Sequence, residues 1–242
     1  MPPTAFDPSN AVFLDFETYG GGKRGERPVL ATVLDTKSLR PSDWAGGVRA
    51  LSASPALRTF VLDPRFVLAA REKRLGLLLP TAFSRWLTRW QASGRTIVGF
   101  SMHEHTVLTR FQPDGAFTYE NLLPRARAWR WRHHPDAIRR FNESTASMDP
   151  SERRDARRRF NSLVSFLRLA GIPVPRDHGA GSTTSRMRLA EEQLADRGEY
   201  RLLTPRAKAS WVQVLRHNRF DVVGMALLGR VIALDQRRVT SR

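Results

Sequence analysis

Asp15 and Glu17 stand two residues apart inside an apolar run, Val12-Phe13-Leu14-Asp15-Phe16-Glu17-Thr18. In a strand, alternate residues share a face, so both carboxylates would point the same way. Burying a charge without a partner is costly, and like charges on one face repel. A divalent cation removes that repulsion, and hard cations such as Mg²⁺ and Mn²⁺ take oxygen ligands. A strand that stops at Leu14, with both carboxylates solvated in a following turn, fits the same residues. A second candidate pair lies near the C-terminus, in Leu215-Arg216-His217-Asn218-Arg219-Phe220-Asp221. His217 and Asp221 are four apart and share a helical face. A carboxylate to hold metal and an imidazole to take a proton from water make a workable pair. A surface ion pair on the helix is the alternative. The stretch TIVGFSMHEHTVL (residues 96–108) reads as a strand, a short turn and a helix. Glu104 opens that helix, flanked by His103 and His105, at the kind of junction where α/β folds place site residues.

The elements that must position these groups follow from periodicity and punctuation. Residues 12–17, 29–34, 59–62 and 96–100 read as strands. The segment 35–57 between the second and third is loop-like, with room for one short helix. Residues 81–91 form an amphipathic helix with Phe83, Trp86, Leu87 and Trp90 near one face, stopped by Ser93-Gly94. A helix over about 102–111 follows. The second half reads as helical: 121–131, a single helix over 151–170, 187–197, and a long helix from about 205 to about 234. Thr204 is its N-cap and Pro205 its first-turn proline. The expected architecture is one α/β domain over residues 1–242, a mixed sheet flanked by helices, with a basic helical insertion at about 112–200.

Charge is the dominant bulk property. The formal net charge is +17, and of 40 basic residues only four are Lys. That balance favours polyanionic partners, nucleic acid first, and Arg forks suit bidentate phosphate contacts. The rival is a solvated basic surface with no partner. Absence of Cys excludes disulfides and thiolate metal sites. No apolar run reaches the roughly 18 residues of a membrane span, and residues 1–10 do not read as a secretory signal. A cytoplasmic protein is expected. Arg125–Arg159 mixes arginines with Trp129, Trp131, His133 and His134, a composition that suits backbone contact with base stacking. The loop His178–Arg188 brings Gly and hydroxyls to a helix start, where backbone N–H groups bind phosphate. It contains no Gly-Lys-Ser/Thr and is not a Walker A loop.

Three segments together resemble the DEDD-type 3′–5′ exonucleases, which have a ribonuclease H-like fold. VFLDFETYG is similar to the first motif, aspartate and glutamate two apart, often followed by threonine. IVGFSMHEHTVLTRF resembles the second motif of a small predicted-nuclease branch, where an aromatic and then Glu replace the usual Asn and Asp. RHNRFDVVGMALL resembles the third, which ends in the last metal-binding Asp. The resemblance implies a ribonuclease H-like α/β fold and a metal-dependent nuclease, most specifically a 3′–5′ exonuclease on DNA or RNA. It implies two ions, Mg²⁺ or Mn²⁺, on Asp15, Glu17, Glu104 and Asp221, with His217 at the general-base position. Thr18, Lys23, Arg24, His103, His105, Arg130, Arg132 and Arg186 are expected to contact nucleic acid. There are departures: Glu104 stands where the larger families have Asp, and His217 is four residues before Asp221, where Tyr is usual and His sits five before. They motivate an alternative, a non-catalytic nucleic-acid-binding domain with a degenerate site.

Overall fold

Nine residues, Ala11–Tyr19, form the central strand β1 of a six-stranded sheet. The computed structural model describes residues 6–19, 27–66, 76–77, 79–114, 117–176, 178 and 183–240. β1 pairs antiparallel with β2 (Arg27–Asp35). Two short helices follow, α1 (Pro41–Ala45) and α2 (Gly47–Ala53), before β3 (Leu57–Val61) returns antiparallel to β2. The two-residue β4 (Gly76–Leu77) extends that edge. After helix α3 (Pro80–Ala92), β5 (Thr96–Gly99) lies parallel to β1 on its other side. Helix α4 (Met102–Phe111) leads to β6 (Tyr119–Asn121), parallel to β5. The spatial order is β4-β3-β2-β1-β5-β6.

The rest is helical: α5 (Leu122–His133), α6 (Pro135–Thr145), α7 (Pro150–Phe160), α8 (Leu163–Leu169), α9 (Thr183–Arg197) and α10 (Pro205–Thr240). Helices cover both sheet faces, which is why β1 reads as a nearly continuous apolar run. Val12, Leu14 and Phe16 point to one face and pack with Phe83, Leu87 and Trp90 of α3 and Val107 and Leu108 of α4. Phe13 points to the other and packs among Val222, Met225, Ala226 and Ile232 of α10. Asp15 and Glu17 follow Phe13 on this second side. Helix α10 runs through two cores: Ala207, Trp211, Val214 and Leu215 pack with Met187, Ala190 and Leu194 of α9, and Phe220 onward joins α5 and α8. Gly224 permits the approach of α8, since a β-carbon there would sit 2.8 Å from Leu167 Cδ1. Among the described residues, no helix is long and apolar enough to cross a membrane.

Several sequence expectations change. The segment between β2 and β3 holds two short helices where one was expected. The single helix over 151–170 is two, because Ser162 starts a new one: its hydroxyl accepts from Ser165 N–H at 3.3 Å, and Asn161 Nδ2 turns back to the Arg157 carbonyl. The region 112–200 is not wholly an insertion. It supplies β6, whose three residues are too few for alternation to show, although Asn121 pairs with Gly99 at the sheet edge. The last helix runs six residues past Leu234.

Candidate active site

β1, β5 and β6 are parallel, so their C-terminal ends meet at one edge of the sheet. Asp15 and Glu17 lie in the last half of β1, well inside the strand, so the alternative of a turn after Leu14 does not apply. The β1–β2 register shifts between Glu17 and Thr18, a bulge that alters how the strand end presents its side chains. Thr18 is half-buried at this irregularity.

Glu104 comes from the first turn of α4, just after β5. Ser101 caps this helix, and its backbone N–H and hydroxyl both donate to Glu104 Oε2 at 3.0 Å. This is the reciprocal capping box that a Ser-x-x-Glu spacing encodes. Tyr119 of β6 donates from its hydroxyl to the Ser101 carbonyl and lies 3.5 Å from Glu104 Oε2. Gly99 makes room for both: a β-carbon there would collide with the Tyr119 hydroxyl and sit 2.9 Å from Glu104 Cβ.

Helix α10 crosses this edge with three polar groups. Asn218, fully buried, donates from Nδ2 to Asp15 Oδ2 at 2.6 Å. Its Oδ1 is buried without a hydrogen-bond partner among the described residues. His217 Nε2 lies 3.2 Å from Asp221 Oδ2. The other Asp221 oxygen, Oδ1, receives His178 Nε2 at 2.8 Å. His178 precedes α9, is 6% exposed, and stacks on His217 with ring centroids 3.8 Å apart and planes 12° apart. Phe220 packs edge-on against the His178 ring at 4.4 Å.

The carboxylates repel one another across this edge. Burial, then Asp221, Glu17 and Glu104, push the Asp15 carboxyl well above its ordinary range, against the Asn218 hydrogen bond. Glu17 is pushed up to about 8 by burial, then by Asp221 and Glu104. Glu104 is raised by burial, which outweighs its capping bonds and His103. Asp221 behaves oppositely. Burial alone would raise it, but the hydrogen bonds from His178 and His217 hold it below the ordinary carboxylate range.

The site therefore has two parts. Asp15, Glu17 and Glu104 form a group of buried, mutually repelling carboxylates. Asp221 is a carboxylate whose two oxygens each face an imidazole, which holds its pKa below the ordinary range. Among the described residues, one set of three ligand atoms lies within 4.8 Å of one another, His178, His217 and Asp221, and no three carboxylates are that close. An imidazole binds a metal along the in-plane lone pair of its nitrogen. Two rings stacked nearly parallel cannot both aim at one ion, so chelation by this set requires one ring to turn.

The remaining expected contacts divide. Lys23 and Arg24 lie outside the described residues. His103 is half-buried beside Glu104, its N–H donating to Ser101 Oγ. His105 packs against the rings of Phe117 and Tyr119. Arg130 is 5% exposed, so it is not placed to grip a strand in solvent. Its guanidinium donates to the Phe160 carbonyl and to Asn161 Oδ1 and lies over the Phe160 ring at 3.7 Å. Burial, then Arg127, lowers its pKa to about 10. Arg132 pairs with Asp235 at 2.8 Å, tying α5 to the end of α10. Trp129 is buried, while Trp131 is 70% exposed. Arg186 lines a cavity beside the two histidines.

His178, Asn218 and Tyr119 were not singled out individually in the sequence. Asn218 carried a signal, being a polar residue on the apolar stripe of Val214, Leu215 and Val222. His178 carried only its place at the head of a Gly- and Ser-rich loop. Comparison with family models, with characterised proteins and with solved structures finds no match to this chain.

Proposed function

We propose that the chain is a metal-dependent nuclease, most specifically a 3′–5′ exonuclease acting on DNA or RNA. The observation that carries this reading is the mutual repulsion of Asp15, Glu17 and Glu104, with Asp221 beside them, at the C-terminal edge of the parallel strands. Burial and neighbouring carboxylates raise Asp15 and Glu17, burial raises Glu104, and a bound cation would relieve all three. The unsatisfied Asn218 Oδ1 adds a buried acceptor to the same place. The mixed sheet flanked by helices is compatible with a ribonuclease H-like fold.

Asp15, Glu17, Glu104 and Asp221 would hold Mg²⁺ or Mn²⁺. When bound, such ions supply an activated water and stabilise the leaving oxygen of a phosphodiester. The chain's own groups do the rest. Asn218 fixes the Asp15 carboxylate from one side, and the Ser101 cap fixes Glu104. With His217 Nε2 turned toward Asp221, Nδ1 would be the ring atom free to accept a proton. His178 holds the other oxygen of Asp221 and stacks on His217, so both rings keep one orientation.

A non-catalytic nucleic-acid-binding domain has one observation in its favour: both oxygens of Asp221 already carry imidazole donors. One experiment separates the two readings. End-labelled single-stranded DNA and RNA are incubated with Mn²⁺, Mg²⁺ or EDTA, alongside Asp15→Ala and Asp221→Ala. Metal-dependent shortening from the 3′ end, lost in both variants, supports the exonuclease. Internal cuts lost in both variants keep the site and make the enzyme an endonuclease. Salt-sensitive binding without cleavage leaves the binding domain.

A further inference from the structure

The stacked histidines form a wall between two cavities. On one side, a cavity of about 640 Å³ reaches Asp221 and is bordered by Arg159 and Arg168. On the other lies a cavity of about 380 Å³, bounded by α2, α9 and α10. His178 and His217 line both.

The smaller cavity is built for an anion. Arg186 of α9 and Arg216 and Arg219 of α10 border it, with Gln213 beside them, and no carboxylate lines it among the described residues. Arg219 is anchored by neutral acceptors only: the Thr59 hydroxyl at 3.2 Å and the Ser52 carbonyl at 3.1 Å. Burial lowers its pKa. A partly buried guanidinium without a counter-charge is costly and favours an anion nearby. Neither Arg186 nor Arg216 makes a side-chain hydrogen bond or ion pair among the described residues, so both forks remain open. Two arginines with open forks, Arg186 and Arg216, border one concavity, and Arg binds the oxygens of phosphate bidentately.

We propose that this cavity is a phosphate subsite, in which Arg186 and Arg216 hold the phosphate group adjacent to the one presented to the carboxylates. A strand crossing the histidine wall would place successive phosphates on its two sides. The identity of the phosphate's owner rests on the nuclease reading; affinity for the phosphate group does not. The occupant is either a phosphate within the strand or the nucleoside monophosphate left by cleavage.

Calorimetric titration of the full chain in EDTA, at about 0.15 M salt to screen distant charge, tests this. The probes are a nucleoside 5′-monophosphate and a short single-stranded oligonucleotide. Arg186→Ala/Arg216→Ala is compared with Arg85→Ala/Arg89→Ala, which removes the same charge from α3 on the opposite face of the sheet. The expected result is a loss of oligonucleotide affinity of about tenfold or more, confined to the first variant. A parallel loss for the monophosphate identifies a product site, and an unchanged monophosphate identifies a strand phosphate. Equal affinities in the two variants, for both probes, overturn the subsite. Cleavage is scored separately. Active protein with equal affinities keeps the nuclease and discards the pocket, while arginine-dependent binding by a protein that never cleaves does the reverse.

Discussion

His178 Nε2 lies 2.8 Å from Asp221 Oδ1, joining the residue ahead of α9 to the middle of α10 across 43 positions of sequence. That bond and the stack on His217 hold the two α10 groups, His217 and Asp221, in place, and under the proposed function they make His178 a positioning residue. His178→Ala should lower metal-dependent cleavage by about 10–100-fold, the usual cost of losing a supporting contact to a metal ligand. The loss should fall on kcat more than on KM, and melting temperature should fall as well, because His178 is buried against His217 and Phe220 and its removal strips a partner from Asp221. His178→Gln restores a donor near Nε2 and should recover part of the rate. Equal rates in wild type and His178→Ala would remove this role.

Stability of the metal-free protein should fall as pH rises. The Glu17 carboxyl is pushed up from its ordinary 4.5 to about 8, and Asp15 and Glu104 are raised with it. The folded state therefore holds these protons more tightly than the unfolded chain. The stability present below the ordinary value is lost as pH climbs through the folded one. Melting curves between about pH 5 and about pH 8 should show a decline in EDTA that Mn²⁺ reverses. Glu17→Gln should flatten the decline and weaken the Mn²⁺ effect. A flat profile in EDTA contradicts the electrostatic account.

Gly99→Ala tests the packing that sets Glu104. Its β-carbon would press on the Tyr119 hydroxyl and on Glu104 Cβ and Cγ, at 2.9 and 3.0 Å. Overpacking of this kind costs about 1–3 kcal/mol. Because it displaces the carboxylate, cleavage should fall as well. Adding Tyr119→Phe removes one of the colliding atoms and should return part of both, a coupling that a double-mutant cycle measures.

Arg130→Ala should behave as a core lesion. It removes two hydrogen bonds and the guanidinium that fills the space between the Phe160 and Phe166 rings. A loss of about 2 kcal/mol or more is expected, or roughly 4–8 °C in melting temperature. Nucleic-acid affinity of the folded fraction should be unchanged. A large drop in affinity at constant stability would return Arg130 to the binding surface.

The site divides between residues with a local pattern and residues without one. Asp15 and Glu17 were legible because period-two alternation inside an apolar run fixes their common face. Glu104 was legible as the opening of a helix that follows a strand, whereas the Ser101 cap that holds its carboxylate was not read. His217 and Asp221 were legible as an i, i+4 pair. His178 was not, because its partners are 39 and 43 residues away and nothing in its neighbours anticipates them. The sheet shows the same split: β1, β2, β3 and β5 announced themselves by composition, but β6 exists only through its pairing with β5. Arg130 misled because its Arg-rich surroundings suggest solvent, whereas Phe160 and Asn161 draw it inward.

The length of α10 has a consequence for how this chain can vary. One unbroken helix of 36 residues carries Trp211 in one core, His217, Asn218 and Asp221 at the site, Val222 to Ile232 in another core, and Asp235 on Arg132. At 3.6 residues per turn, a single inserted residue rotates everything beyond it by about 100°. An insertion between Leu215 and His217 would swing Asn218 and Asp221 away from β1 and turn the second apolar stripe toward water in the same step. The turn joining α6 to α7 carries no such helical phase, although Arg153 ties its carbonyls and Asp149 caps the next helix. Insertions and deletions are therefore expected to collect in the connections and to be absent from the middle of α10.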